Sequence, residues 1–197
     1  MFKRFLLPLL FALVLVPTAQ AAGGRYVFDG GTRAEHGQVT AALNASSFNW
    51  SLIPGQVVVH IASGVSPHAT AGQVWLDAGL LDSGRFSWGV VQHEYAHQVD
   101  FGLLTDGMRA VLQPELQAPM WWGTVSEHTQ LGAERFADQL AWAYWQSPDN
   151  VMKPMSSTDE GGQMTPAAFR AALASVLGVQ PVRVLAAAVV KKAPRKG

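Results

Sequence analysis

Two histidines four residues apart, with a glutamate beside the first, are the side chains best suited to do chemistry in this sequence. The segment from His93 to His97 reads H-E-Y-A-H and so fits the pattern H-E-x-x-H. On a helix, residues i and i+4 share a face, so both imidazoles can bind one zinc ion at about 2.0–2.1 Å. Glu94 lies about 100° around the helix, where its carboxylate can take a proton from an attacking water. The pattern predicts a catalytic Zn²⁺ site with Glu94 as general base; the alternative is a helix with two structural histidines.

A catalytic zinc ion needs a third protein ligand and one open position. Glu134 and Asp138 lie at i and i+4 of a second predicted helix. We predict that Glu134 binds the metal and that Asp138 accepts a hydrogen bond from a ligand histidine, which fixes the histidine tautomer. The alternative is an exposed pair of acids. Ala141, Trp142 and Trp145 continue the same face, which indicates that it is turned toward protein.

Two further residues near these motifs need separate interpretation. Asp100 lies at i+7 from His93, about 10.5 Å along a helix, so we expect it to support the site or the helix end without binding the metal. His128 precedes the second predicted helix and could donate a hydrogen bond to a developing oxyanion, or it could be an ordinary loop histidine. Three other histidines have no partner at a ligand spacing: His36, His60 and His68.

The elements that must position these residues follow from hydrophobic periodicity and turn signals. Strands are predicted at residues 25–28, 56–61 and 72–77. Helices are predicted at residues 33–46, 88–100, 103–115, 129–146 and 166–177. Strands concentrate early and helices late, so we expect an α+β fold: a short mixed sheet, then an active-site helix and a helical C-terminal half.

The first 21 residues have the features of an export signal. Lys3 and Arg4 precede an apolar run over residues 5–16, and Ala19 and Ala21 are the small residues that precede a cleavage site. The run is shorter than the roughly 20 residues of a membrane span. We therefore predict a secreted or extracytoplasmic protein with no stable membrane span after cleavage, the alternatives being an uncleaved anchor or a buried first helix.

Composition limits the remaining possibilities. The chain has 197 residues, of which 49% are hydrophobic and 14% charged, which is typical of a globular domain. Residues 22–180 are predicted to form this domain, and residues 181–197 a basic, flexible tail.

Without the signal segment the chain has 12 basic and 14 acidic residues, so no basic surface for nucleic acid is expected. Cysteine is absent, which excludes disulfides and thiolate ligands. Most of the 7 tryptophans are expected in the core, with Trp121 and Trp122 the exposed pair.

The two motifs together resemble those of a known enzyme family. Residues 93–100, H-E-Y-A-H-Q-V-D, followed by residues 134–138, E-R-F-A-D, are similar to the gluzincin metallopeptidases. The similarity is strongest to compact forms such as the catalytic domain of anthrax lethal factor, and it covers about residues 72–146. It implies a zincin-like fold, Zn²⁺ bound by His93, His97 and Glu134, and Glu94 as the base.

The resemblance also implies how substrate would bind. Family members have an edge strand, antiparallel to the bound peptide, just before the active-site helix, and the segment with Gln73, Val74 and Trp75 is placed to be that strand. Backbone pairing at such an edge provides affinity, and pockets provide specificity. A tyrosine that assists the oxyanion in lethal factor has no counterpart here, which leaves His128 as the substitute.

The sequence therefore predicts a secreted zinc-dependent endopeptidase whose partner is a peptide or protein substrate. Two alternatives remain open: a zinc amidase acting on cell-wall peptides, and a non-catalytic zinc-binding domain. The intact Glu94 disfavours the last, because a structural metal site needs no base.

Overall fold

The computed structural model describes residues 24–124 and 128–182. The predicted signal segment and nearly all of the predicted tail lie outside these residues. The strands are β1 Tyr26–Gly30, β2 Val57–Ala62, β3 His68–Thr70 and β4 Gln73–Asp77. The helices are α1 Arg33–Ala45, α2 Ala78–Leu81, α3 Trp88–Leu103, α4 Asp106–Glu115, α5 Gly132–Tyr144 and α6 Pro166–Leu177. The prediction of an α+β fold with a small mixed sheet is confirmed.

The sheet has the strand order β1-β2-β4-β3. The first three of these strands are parallel, and β3 is antiparallel to β4. The prediction that Gln73, Val74 and Trp75 form the edge strand is therefore wrong, because β4 pairs on both sides. The chain reverses at Ala71 and Gly72, where Gly72 has a φ of 78°, and this turn lays β3 along the outer edge of β4. Three residues are too few for a sequence pattern to reveal such a strand.

One face of the sheet is buried under helices. Val57, Val59 and Ile61 of β2 are buried, whereas the residues between them are half-exposed. Val74 and Leu76 of β4 extend the buried face. This period-2 alternation of β-branched residues is what a sheet with one solvated face requires. The largest side chains that complete the core are Trp50, Tyr95, Phe48, Phe136 and Phe169.

Helix α3 runs through the centre of the molecule. All residues from Val91 to Asp100 are buried, because α1, the sheet and α5 cover different sides of the helix. Alanines at 133, 137 and 141 on α5 are fully buried and let the two helix backbones approach closely. Both predicted metal-binding motifs are thereby brought to a single helix–helix interface.

Helix ends differ from the sequence prediction by a few residues. A 3₁₀ turn at His128–Gln130 precedes α5, so the helix begins three residues later than expected. Helix α3 extends to Leu103, and α4 begins after Thr105, whose side chain accepts a hydrogen bond from the Met108 amide.

The end of the described chain is joined to the rest of the fold. After α6, Pro181 accepts a hydrogen bond from the Asn49 amide at 2.9 Å, and Val182 pairs with Phe48. No helix among residues 24–124 and 128–182 has the length and apolar character needed to cross a membrane.

Candidate metal centre

Three side-chain atoms from α3 and α5 meet in a nearly equilateral triangle. Nε2 of His93 lies 3.3 Å from Nε2 of His97, and each nitrogen lies 3.3 Å from Oε2 of Glu134. Zinc bonds of about 2.0–2.1 Å at tetrahedral angles place ligand atoms about 3.3–3.4 Å apart. The three atoms are therefore spaced as ligands of one tetrahedral ion would be, and two imidazoles with a carboxylate suit Zn²⁺.

Hydrogen bonding supports the same interpretation. Oε2 of Glu134 is buried and has no hydrogen-bond partner, although the imidazole nitrogens lie at ion-pair distance. The three atoms thus point toward a shared volume, in which the two imidazole nitrogens approach each other at hydrogen-bond distance. A buried carboxylate oxygen without a partner is costly unless a cation neutralises it. The residues present fit a metal ion in this position.

Asp138 is placed where it can orient one ligand. Its Oδ1 lies 2.6 Å from Nδ1 of His93, and both side chains are buried. A carboxylate only accepts hydrogen bonds, so Nδ1 carries the proton and Nε2 presents its lone pair to the triangle. The structure thus brings Asp138 to the position that the i, i+4 spacing from Glu134 predicted.

Glu94 stands beside the triangle. The ligand-capable atoms of His93, Glu94 and His97 all lie within 4.8 Å of one another, and the three residues are buried. Burial raises the pKa of the Glu94 carboxyl, while the two histidines oppose the shift. A carboxylate with a raised pKa, held next to a metal site, is suited to accept and return a proton.

The carboxylates around His93 change the pKa of its imidazole. Burial alone lowers the pKa of His93, but the hydrogen bond with Asp138 and the contact with Glu134 raise it to about 10. Burial alone raises the pKa of Glu134, but His93 and His97 reverse this and hold the pKa well below the usual glutamate value. The carboxylates of Glu134 and Asp138 thus favour positive charge at this position.

His128 contacts the triangle from the side. Its Nε2 lies 3.1 Å from Oε2 of Glu134, and its Nδ1 lies 3.0 Å from Oε1 of Glu160. The imidazole is 61% exposed, so it borders the open side of the site. Glu160 was not predicted, since it lies in a loop after α5 and no spacing connects it with the motifs. Its role is to hold the ring of His128.

A cleft open to solvent leads to these residues. Its lining includes Pro67, His68, Ala69, Phe101 and Trp122 together with the ligand triangle, Glu94 and His128. The sequence alone does not connect His68 with the site, because His68 has no partner at a ligand spacing. It reaches the cleft because β3 occupies the sheet edge, which only the three-dimensional fold establishes.

Asp100 supports the end of α3 and does not face the triangle. Its carboxylate accepts hydrogen bonds from Nε of Arg109 at 2.8 Å and from Nε1 of Trp121 at 3.0 Å.

Trp121 is only 6% exposed, so the prediction that it forms an exposed pair with Trp122 is wrong for Trp121. Its indole is buried because the N–H has a buried acceptor.

Comparison with protein-family models, with curated proteins and with solved structures finds no match for this chain. Its function is therefore inferred from its own residues alone.

Proposed function

We propose that the protein is a zinc-dependent endopeptidase that acts outside the cytoplasm. The observation that carries the proposal is the triangle of His93, His97 and Glu134, with ligand atoms 3.3 Å apart and Glu94 alongside. A structural zinc site would close the fourth position with another protein ligand. Here the triangle borders an open cleft, as a site that admits substrate must.

Each group at the site is assigned to a different step of peptide hydrolysis. A zinc ion held by His93, His97 and Glu134 would supply a Lewis acid, which would polarise the scissile carbonyl and favour loss of a proton from water. Glu94 takes that proton as the water oxygen attacks the carbonyl carbon, and then returns it to the leaving amine as the C–N bond breaks. Burial of Glu94 fits this double role, because it raises the proton affinity of the carboxylate.

His128 is assigned to the developing oxyanion. Glu160 holds Nδ1 of the ring, while Nε2 faces the open side of the site near Glu134. Because Nδ1 donates to the Glu160 carboxylate, Nε2 carries an N–H only when the ring is the doubly protonated imidazolium, and in that form it can stabilise negative charge as it forms on the substrate oxygen. Such a donor typically contributes about 10²–10³ in kcat.

Substrate binding is assigned to the outer edge of β3 in place of β4. Strand β3 pairs with β4 alone among the described strands, and Pro67, His68 and Ala69 line the cleft. Over residues 67–69 this edge can therefore accept the backbone of an extended peptide beside the metal. At its far end the Thr70 carbonyl and the Gly72 amide are already hydrogen-bonded to the side chain of Gln98. Strand addition of this kind favours an unstructured peptide segment over a small amide as substrate.

The test is hydrolysis of a peptide library by the exported protein, purified with zinc. We expect cleavage within peptides, its loss with a chelator, and its return when zinc is added. The matched control is Glu94→Gln treated identically, which separates this activity from a contaminating peptidase. Hydrolysis that persists in the presence of the chelator, or equally in the variant, contradicts the proposal.

A further inference from the structure

Phe101 and Trp122 form an aromatic wall on one side of the metal cleft. Their rings are parallel within 4°, with centroids 5.5 Å apart, and both residues line the cleft. Trp122 is 44% exposed. The exposed part of the indole faces solvent at the site, where a ligand could cover it.

The wall is held by a network of charged and aromatic groups. The Arg109 guanidinium lies 5.9 Å from the centre of the Trp122 ring, in cation–π contact. Arg109 is itself fixed, because Nε and Nη2 donate to the carboxylate and the carbonyl oxygen of Asp100, each at 2.8 Å. The carboxylate of Asp100 also accepts from Trp121, the residue beside Trp122. The position of the exposed indole is therefore built into the fold.

A second, smaller cleft continues behind Phe101. Its lining is mostly apolar and consists of Ile53, Pro54, Val57, Ala71, Gly72, Gln98, Phe101 and Gly102. Phe101 is common to both clefts. Residues 67–69 border the metal cleft, whereas residues 71 and 72, just beyond β3, border the second cleft. The edge of the sheet thus leads from the metal toward the apolar cleft.

The direction of β3 fixes which end of a bound peptide meets the wall. Antiparallel pairing is slightly more stable per residue than parallel pairing. A peptide antiparallel to β3 would enter over Ala71 and Gly72 and leave over Pro67. Its residues before the scissile bond would then lie beside Phe101 and the smaller cleft.

We propose that the aromatic wall binds a large apolar side chain on the amino-terminal side of the scissile bond, and so sets the substrate class. This inference rests on the proposed peptidase function. The wall offers aromatic surface, and the charge of Arg109 is already engaged by Asp100, so the wall favours apolar over charged substrate side chains. A single methylene group in a hydrophobic pocket is worth about 10–200-fold in kcat/KM, so contact with a large side chain on this open wall should give a measurable preference.

The test compares peptides that carry Phe, Leu, Gly or Asp at each of the two positions before the cleaved bond. We expect the wild-type protein to prefer Phe and Leu. Trp122→Ala should lose about 10-fold of the preference for Phe over Gly, measured as the ratio of the two kcat/KM values, while its zinc content remains unchanged. Trp122→Phe, which keeps an aromatic ring, should retain most of the preference.

The control variant is Phe86→Ala, which removes another exposed aromatic side chain that does not line the cleft. It should behave as wild type. A preference for Phe that is unchanged in Trp122→Ala, or one that acts on the carboxyl side of the bond, overturns the inference.

A binding measurement separates this inference from the peptidase proposal. The affinity of Glu94→Gln for short peptides with Phe or Gly is measured by isothermal titration calorimetry, with and without the Trp122→Ala change. Tighter binding of the Phe peptide that depends on Trp122 supports the wall even if the wild-type protein cleaves nothing. Equal affinities overturn it even if the protein is an active peptidase.

Discussion

Nδ1 of His93 donates a hydrogen bond to Oδ1 of Asp138 across 2.6 Å between α3 and α5. This contact fixes the imidazole tautomer and directs Nε2 toward the atoms of His97 and Glu134. Because α5 also carries Glu134, one helix supplies both a ligand and the group that orients another ligand. Packing between α3 and α5 is therefore the structural basis of the proposed centre.

Replacement of Asp138 by asparagine should weaken zinc binding without dismantling the site. The amide is a weaker acceptor and can present an N–H to Nδ1, so the ring loses its fixed orientation. Loss of such a supporting carboxylate typically costs about 10–100-fold in metal affinity. Competition titration with a chromogenic chelator measures the effect. Asp82→Asn, at an exposed position, should bind zinc as wild type does, and equal affinities for the two variants would argue against a supporting role for Asp138.

Zinc uptake should release a proton at neutral pH. The pKa of His93 is raised from 6.5 to about 10 in the metal-free protein, so the ring remains protonated at pH 7 and the metal must displace that proton. Affinity should therefore rise by up to about tenfold per pH unit until the pH reaches the pKa. Calorimetric titration in buffers of different ionisation enthalpy counts the protons, and the absence of proton release would contradict the assignment.

The free energy of unfolding of the metal-free protein should fall as the pH rises, whereas its zinc affinity should increase. The folded-state pKa of His93 is higher than its ordinary value of 6.5, so its stabilising contribution is complete below that pH. The contribution is lost as the pH rises toward about 10. Urea unfolding of metal-free protein across this range should show a decline that Asp138→Asn reduces, and an identical decline in both proteins would contradict the coupling.

Glu94→Gln should retain zinc and lose hydrolysis. Glutamine has nearly the same shape but cannot accept the proton, and a general base typically contributes at least about 10²–10⁴-fold in rate. Metal analysis and peptide cleavage are measured on the same preparation, with Glu115→Gln at an exposed site on α4 as the control. Cleavage at the wild-type rate would remove Glu94 from the mechanism.

Arg109 contacts two carboxylates that differ in burial, which gives a matched pair of stability tests. The Asp100 side chain is 0% exposed, and that of Asp106 is 100% exposed. Removing one partner of a buried pair costs about 3–5 kcal/mol, so Asp100→Ala should lower the free energy of unfolding by roughly this amount. Asp106→Ala should cause no measurable change, because the exposed pair is screened by water. Equal denaturation midpoints for the two variants would show that Asp100 does not anchor the end of α3.

Local spacing made most of the candidate site predictable. The i, i+4 relations of His93 with His97 and of Glu134 with Asp138 place each pair on one helix face, and the structure brings the two faces together. The α+β class followed in the same way from strands early and helices late in the chain. These features depend on periodicity, which a sequence shows directly.

Features that depend on distant pairing could not be predicted. Strand β3 has only three residues, so the sequence pattern indicates β4 as the edge strand and does not connect His68 with the site. Trp121 was expected at the surface because nothing in the sequence links it to its acceptor Asp100, which lies 21 residues away. Glu160 meets His128 across 32 residues, again through the path of a loop. In each case the contact is set by tertiary packing, which carries no local signal.

Diffraction from crystals grown with zinc, recorded at the zinc absorption edge, tests the proposed centre most directly. We predict one strong anomalous peak inside the triangle, about 2.0–2.1 Å from Nε2 of His93, Nε2 of His97 and a carboxylate oxygen of Glu134. No peak there, or a peak whose ligands exclude Glu134, would contradict the account.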